Sequence, residues 1–216
     1  MNQKSLFLSA VGLIILAFVL IVVLYKNHQS GQQGQSVNQS QSVLVRKGAA
    51  MKGPADAKVT IVEFLDPACG TCAEFYPFVK KLIDQYPGKV NAIIRYAPLH
   101  TGSDQVVKML EAAHLQGKFF EALELLFNNQ GRWVNNHVSQ PMRALALLNS
   151  LDLDQDRLAT DMNSPGVIAA IQKDIQDGQT LNVRATPEFF VNGKPMPSFG
   201  FQQLSQLVND AVTDAY

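Results

Sequence analysis

The order of local signals along the chain predicts an α/β fold: strand–helix–strand, a long helical block, then strand–strand–helix. Three observations carry it. β-rich runs at residues 58–65 and 90–96 flank a helical stripe. Residues 103–177 show helical spacing with no strand signal, and sheet character returns only at 188–196, before a closing amphipathic helix at 202–215. An apolar run and a polar stretch precede all of this. The expected architecture is an N-terminal transmembrane helix, then an α/β domain with a helical insertion at about residues 100–180.

Residues 6–24, LFLSAVGLIILAFVLIVVL, carry no charge. As a helix, such a run is about 28 Å long, close to the thickness of a bilayer's hydrocarbon core. It exceeds the apolar region of a secretory signal, and Tyr25, Lys26, Asn27 and His28 do not resemble a cleavage site. Residues 1–27 are therefore read as an uncleaved anchor. Residues 28–42, HQSGQQGQSVNQSQS, have almost nothing to bury and read as a flexible tether spanning about 20 Å. The domain is taken as 43–216.

Residues 58–65, KVTIVEFL, read as a strand ended by Asp66-Pro67. A helix follows from 69 to 86, with Phe75, Phe78, Val79, Leu82 and Ile83 on one face and a kink expected at Pro77. Residues 90–96, VNAIIRY, form a second strand, and strand–helix–strand order implies a parallel, right-handed crossover. Residues 103–127 read as one or two helices and 128–133 as a turn. Residues 139–150 read as a helix with Ser139 as N-cap and Pro141 in its first turn. Helices at 152–162 and 165–177 complete the block. Strands at 188–191 and 194–196 are joined by Asn192-Gly193, a tight hairpin signal.

The 216 residues carry 18 basic and 18 acidic side chains. That balance excludes a concentrated basic face for nucleic acid, and no repeat of solenoid period exists. The only cysteines, Cys69 and Cys72, are too few for a disulfide scaffold, and a bridge closing so short a loop removes little unfolded-state entropy. The pair is therefore read as chemical. Cys69 falls where a strand gives way to a helix, and there the free backbone N–H groups and the helix dipole favour a thiolate. Cys69 is then the exchanging sulfur and Cys72, one turn further in, the resolving one. Glu63 lies in an otherwise apolar strand, where a carboxylate is costly unless solvated, paired or protonated. It is read as a proton relay for Cys72, against the alternative of a surface-facing strand residue beside Thr60 and Asp66.

Glu63-Phe64, Cys69-Gly70-Thr71-Cys72, Thr186-Pro187 and the run Phe-Phe-Val-Asn-Gly from Phe189 to Gly193, in this order around a long helical block, resemble the DsbA family of thiol:disulfide oxidoreductases. That resemblance implies a thioredoxin fold with an inserted helical domain. It also implies a cis-proline at Pro187 whose loop, with Thr186, Gly70 and Thr71, meets the substrate peptide. No metal or organic cofactor is implied. The implied partners are protein thiol and disulfide substrates and a membrane redox partner that recycles the dithiol, with the domain facing the periplasm or cell exterior. Gly70-Thr71 departs from the Pro-His pair of strongly oxidising members, so an oxidase is expected with a reductase or isomerase as the alternative.

Two rivals stand beside this reading. A zinc site would join Cys69 and Cys72 to His100 or His114, although no second paired motif is present. A non-enzymatic binding module would dock a partner through Trp133, Phe119 and Phe120, which otherwise read as packing residues. His28 and His137 read as tether and loop residues, and His100 as a residue that could approach the cysteines.

Overall fold

The computed structural model describes residues 43–216, so the expected anchor (1–27) and tether (28–42) lie outside the described residues. Among the described residues no helix is long and apolar enough to cross a membrane.

The chain enters at Leu44 and makes a short strand, β1 (Met51–Lys52), before β2 (Val59–Leu65). Helix α1 (Gly70–Gln85) runs through Pro77 and leads to β3 (Val90–Tyr96). The insertion follows: α2 (Ser103–Leu115), α3 (Phe119–Asn128), a one-turn α4 (Gln130–Trp133), a hairpin of β4 (Val134–Asn135) and β5 (Val138–Ser139), then α5 (Pro141–Leu148), α6 (Gln155–Asp161) and α7 (Pro165–Thr180). The chain returns to the sheet as β6 (Glu188–Val191) and β7 (Lys194–Pro195), and α8 (Phe201–Ala215) closes it.

The sheet order is β1-β3-β2-β6-β7. Strands β2 and β3 are parallel, as the crossover predicts, while β1 lies antiparallel to β3 and β6 antiparallel to β2. On one face Val59, Ile61, Phe189 and Val191 meet Phe75, Val79 and Leu82 of α1 and Leu204, Val208 and Val212 of α8. On the other, Val62, Phe64, Ile93 and Phe190 pack with Leu44. Burying each such side chain is worth about 1.5–3 kcal/mol. The hairpin between β6 and β7 turns on Asn192 (φ 47°) and Gly193 (φ 83°), the paired positive φ values that Asn-Gly supplies.

Several local readings are narrowed or corrected. Residues 103–127 form two helices, parted at Gly117, whose φ is 73°. Residues 128–133 are not a plain turn, since 130–133 form α4, and β1, β4 and β5 had no signal that their two-residue length could carry. Ser139 is not an N-cap: it lies in β5, buried, with Oγ 3.1 Å from Ser103 Oγ, and Gln140 precedes α5. α6 is instead capped by Asp154 and α7 by Ser164, each accepting from a backbone N–H three residues on.

Candidate active site

Strand β2 delivers the chain to Asp66-Pro67-Ala68 and then to Cys69, which is the N-cap of α1. Its extended backbone (φ −77°, ψ 119°) lets Sγ accept from the Cys72 N–H at 3.4 Å, so sulfur takes the place usually held by a hydroxyl or carboxylate oxygen. The first turn of α1 holds no acidic residue, leaving the positive end of the helix dipole to the sulfur. Cys69 is 6% exposed, Cys72 fully buried, and both are free thiols. Of the residues between them, Gly70 is exposed and Thr71 half-buried.

These surroundings split the two sulfurs. The Cys69 thiol is brought down to about 5, first by its hydrogen bond with the Cys72 side chain, against burial, and then by the Thr186 side chain and the N–H groups of Cys72 and Thr71. Cys72 moves the other way, well above an ordinary thiol, because of burial, then the bond to Cys69, then the charges of Glu63 and Cys69. Cys69 Sγ also lies 3.2 Å from the carbonyl oxygen of Thr186, far away in sequence. A carbonyl can only accept, so that contact serves the protonated thiol, while the N–H donors serve the anion. The Thr186–Pro187 peptide bond is cis, and Pro187 is buried. Thr186, Pro187, Gly70 and Thr71 are thus brought to one sulfur.

Glu63 is fully buried. Alternation along β2 puts it on the same face as Ile61, the face that α1 covers, and the register sets it between Ile94 of β3 and Phe189 of β6. Among the described residues neither carboxylate oxygen has a hydrogen-bond partner. Burial, and then the charge of Cys69, push its pKa up to about 8, so it is protonated at neutral pH. The surface-facing alternative is excluded by this burial.

Two residues that the sequence reading passed over hold the cysteine loop. Asp66, read as a strand breaker, is fully buried. Its Oδ1 accepts from the Ala68 N–H at 2.8 Å and the Ser103 hydroxyl at 2.6 Å, and its Oδ2 from the His100 N–H at 2.8 Å. His100 Nδ1 lies 2.8 Å from the same oxygen, so His100 does come close to the cysteines, as a partner of Asp66. The Asx-turn from Asp66 to Ala68 was legible in the Asp-Pro pair. Gln130 of α4 donates from Nε2 to the carbonyls of Pro67 (3.0 Å) and Cys69 (3.1 Å), stitching the insertion to the loop, and no sequence signal marked it.

The residues of the rival readings fall elsewhere. His114 Nε2 lies 3.1 Å from the Gly48 carbonyl. Trp133 is fully buried with Nε1 donating to the Leu126 carbonyl at 2.9 Å, Phe119 is in the same core, and Phe120 packs against it. The aromatics are packing residues of the insertion.

A family model described as Thioredoxin matches residues 46–210. A thioredoxin-like oxidoreductase from Silicibacter pomeroyi is 28% identical with a TM-score of 0.69, covering 80% of this chain and 97% of its own. BdbD from Bacillus subtilis is 25% identical with a TM-score of 0.67, covering 77% and 94%. α-DsbA1 from Wolbachia pipientis, at 19% identity and a TM-score of 0.69 over 82% and 96%, shares the fold. Among curated sequences, a protein named Na(+)/H(+) antiporter NhaA 1 from Salinispora arenicola is 31% identical over 165 residues, 74% of this chain. The chain spans only 24% of that antiporter's length. The chain belongs to the thioredoxin family, in the DsbA-type form of its fold, with the helical insertion set between the dithiol helix and the cis-proline strand.

Proposed function

We propose that the chain is a protein thiol:disulfide oxidoreductase that forms disulfides in secreted or periplasmic proteins. The observation that carries this is the helix-capping Cys69, held as a thiolate beside a buried, protonated Cys72 and touched by the Thr186-Pro187 loop. A stabilised thiolate favours the reduced form of the pair, which makes the oxidised form an oxidant.

In that direction a substrate thiolate attacks Cys69 Sγ of the Cys69–Cys72 disulfide. The bond between the two cysteines breaks, a substrate–Cys69 disulfide forms, and Cys72 leaves with the electron pair. Glu63, protonated at neutral pH, supplies the proton that Cys72 takes up. A second substrate thiolate then attacks the substrate sulfur of the mixed disulfide, and Cys69 leaves as the thiolate that its surroundings favour. The substrate loses two electrons and its thiol protons. One proton replaces that of Glu63 and the other goes to solvent. Gly70 and Thr71 offer no titratable group between the sulfurs, so activation falls to Cys72, Thr186 and the backbone. The chemistry needs neither a metal nor an organic cofactor. A membrane partner reoxidises the pair.

The uncharged run at residues 6–24 supports a single-pass anchor in the cell membrane, and dithiol oxidation suits the periplasmic or outer side. Protease access from spheroplasts tests that placement, and full protection of the domain refutes it. The reduction potential of the Cys69/Cys72 pair tests the direction. A value near about −120 mV supports the oxidase, whereas one near about −270 mV overturns it in favour of a reductase or isomerase. Cys72→Ser should trap substrates on Cys69 as mixed disulfides, and Cys69→Ser should abolish turnover.

A further inference from the structure

We infer that Arg132 and Arg143 form an anchoring subsite for an acidic segment of the protein substrate, a reading that rests on the exchange function above. The two residues line one surface cavity of about 390 Å³, together with Ala146 and Leu147. Both are exposed. Arg143 Nη1 donates to the Arg132 carbonyl oxygen at 3.5 Å, so the two side chains share one place on the insertion. Arg132 Nη1 meets only the neutral Asn129 Oδ1, at 3.3 Å, and among the described residues neither guanidinium reaches a carboxylate. The sequence offers none nearby, because residues 125–151 contain no Asp or Glu, although the whole chain is balanced in charge. Arg46, Arg95 and Arg157, by contrast, are each paired with a carboxylate. An arginine pair without an acid, in a cavity completed by Ala146 and Leu147, is built for planar, bidentate recognition of carboxylates.

The cavity is coupled to the sulfur through α4. Gln130, two positions before Arg132, donates to the Cys69 carbonyl at 3.1 Å. A glutamine side chain and two helical positions put the Arg132 backbone within about 15 Å of Cys69. An extended peptide advancing about 3.3 Å per residue covers that in roughly four or five residues. The subsite therefore selects acidic residues at that distance from the attacked cysteine.

The test uses the full chain, oxidised, in nonionic detergent, with three dithiol peptides of equal length. They carry two Asp, two Asn or two Lys at that spacing, on both sides of the cysteine. At low salt the acidic peptide should show a kcat/KM roughly five- to tenfold above the Asn peptide, the effect of partly exposed ion pairs acting together. The preference should shrink towards unity at high salt, where charges are screened. In the Arg132→Glu/Arg143→Glu double variant the acidic-to-Lys ratio should invert. Equal kcat/KM for acidic and Asn peptides in the native chain, or an unchanged ratio in the double variant, overturns the subsite while leaving the exchange reading standing. Failure to oxidise any of the three peptides overturns the exchange reading, and the subsite with it.

Discussion

Replacing Glu63 by Gln removes a titration that the fold opposes, and its effect on stability should depend on pH in a defined way. The carboxyl's pKa rises from the ordinary 4.5 to about 8 on folding, chiefly through burial. Below about pH 4.5 it is protonated in the folded and unfolded chain alike and contributes nothing to the difference. As pH rises above that, the unfolded chain releases the proton while the folded chain keeps it, and each pH unit costs the native state about 1.36 kcal/mol. The penalty reaches about 3 kcal/mol at pH 7 and levels off near about 5 kcal/mol above pH 8. Gln has the same shape and no charge, so the variant should match the native chain at pH 4 and exceed it by about 3 kcal/mol at pH 7. Urea unfolding under reducing conditions, followed through the chain's one tryptophan, the buried Trp133, reads this directly. A stability difference that stays flat between pH 5 and pH 8 would refute the argument, since it would mean that the carboxylate is solvated in place. The same variant should slow formation of the substrate–Cys69 mixed disulfide by about 10²-fold, the contribution of a positioned proton donor to the departing Cys72. A rate within twofold of the native chain would remove Glu63 from the chemistry.

Cys69 gives the opposite pH signature. Its pKa falls from 9.0 to about 5, so the stability it contributes is complete above pH 9 and is lost as pH falls towards 5. Thiolate absorbance and iodoacetamide alkylation of the reduced chain should share a midpoint near 5, and a midpoint above 8 would contradict the site described here. Arg95→Ala leaves Asp174 and Asp177 facing a void and frees the carbonyls of Val43 and Leu44, so about 3–5 kcal/mol should be lost in denaturant titrations. A loss under 1 kcal/mol would show that Arg46 and Lys173, which also pair with those acids, carry the network. Asp66→Ala strands the Ala68 and His100 N–H groups and should cost about 2–4 kcal/mol while shifting the Cys69 alkylation midpoint, as the loop before it loosens. An unchanged midpoint would mean that α1 alone orients the sulfur.

By itself the sequence determined what depends on neighbours a few residues apart. The 3.6-residue stripe of α1, the Asn-Gly hairpin and the spacing of Cys69 and Cys72 at a helix start are such features. Each is settled by one turn or one alternation, so each was legible without a fold. Side-chain destination was not. The strand reading of 90–96 says nothing of where Arg95 goes, yet it is fully buried, with Nε 2.6 Å from Asp174 Oδ1 and its guanidinium 5.4 Å from the Phe64 ring. Ser139 reads as a helix cap, yet a two-residue strand carries it to Ser103. Glu63 stayed open because β2 is central: with both faces covered, alternation tells which residues share a side but not whether either side meets water. The tertiary structure decided those points, and it also carried His100, Gln130 and Thr186 to the cysteine loop from separate parts of the chain. Their partners lie 34, 61 and 117 positions away. No local periodicity encodes such distances, because only the packing of the insertion and of β6 against β2 closes them.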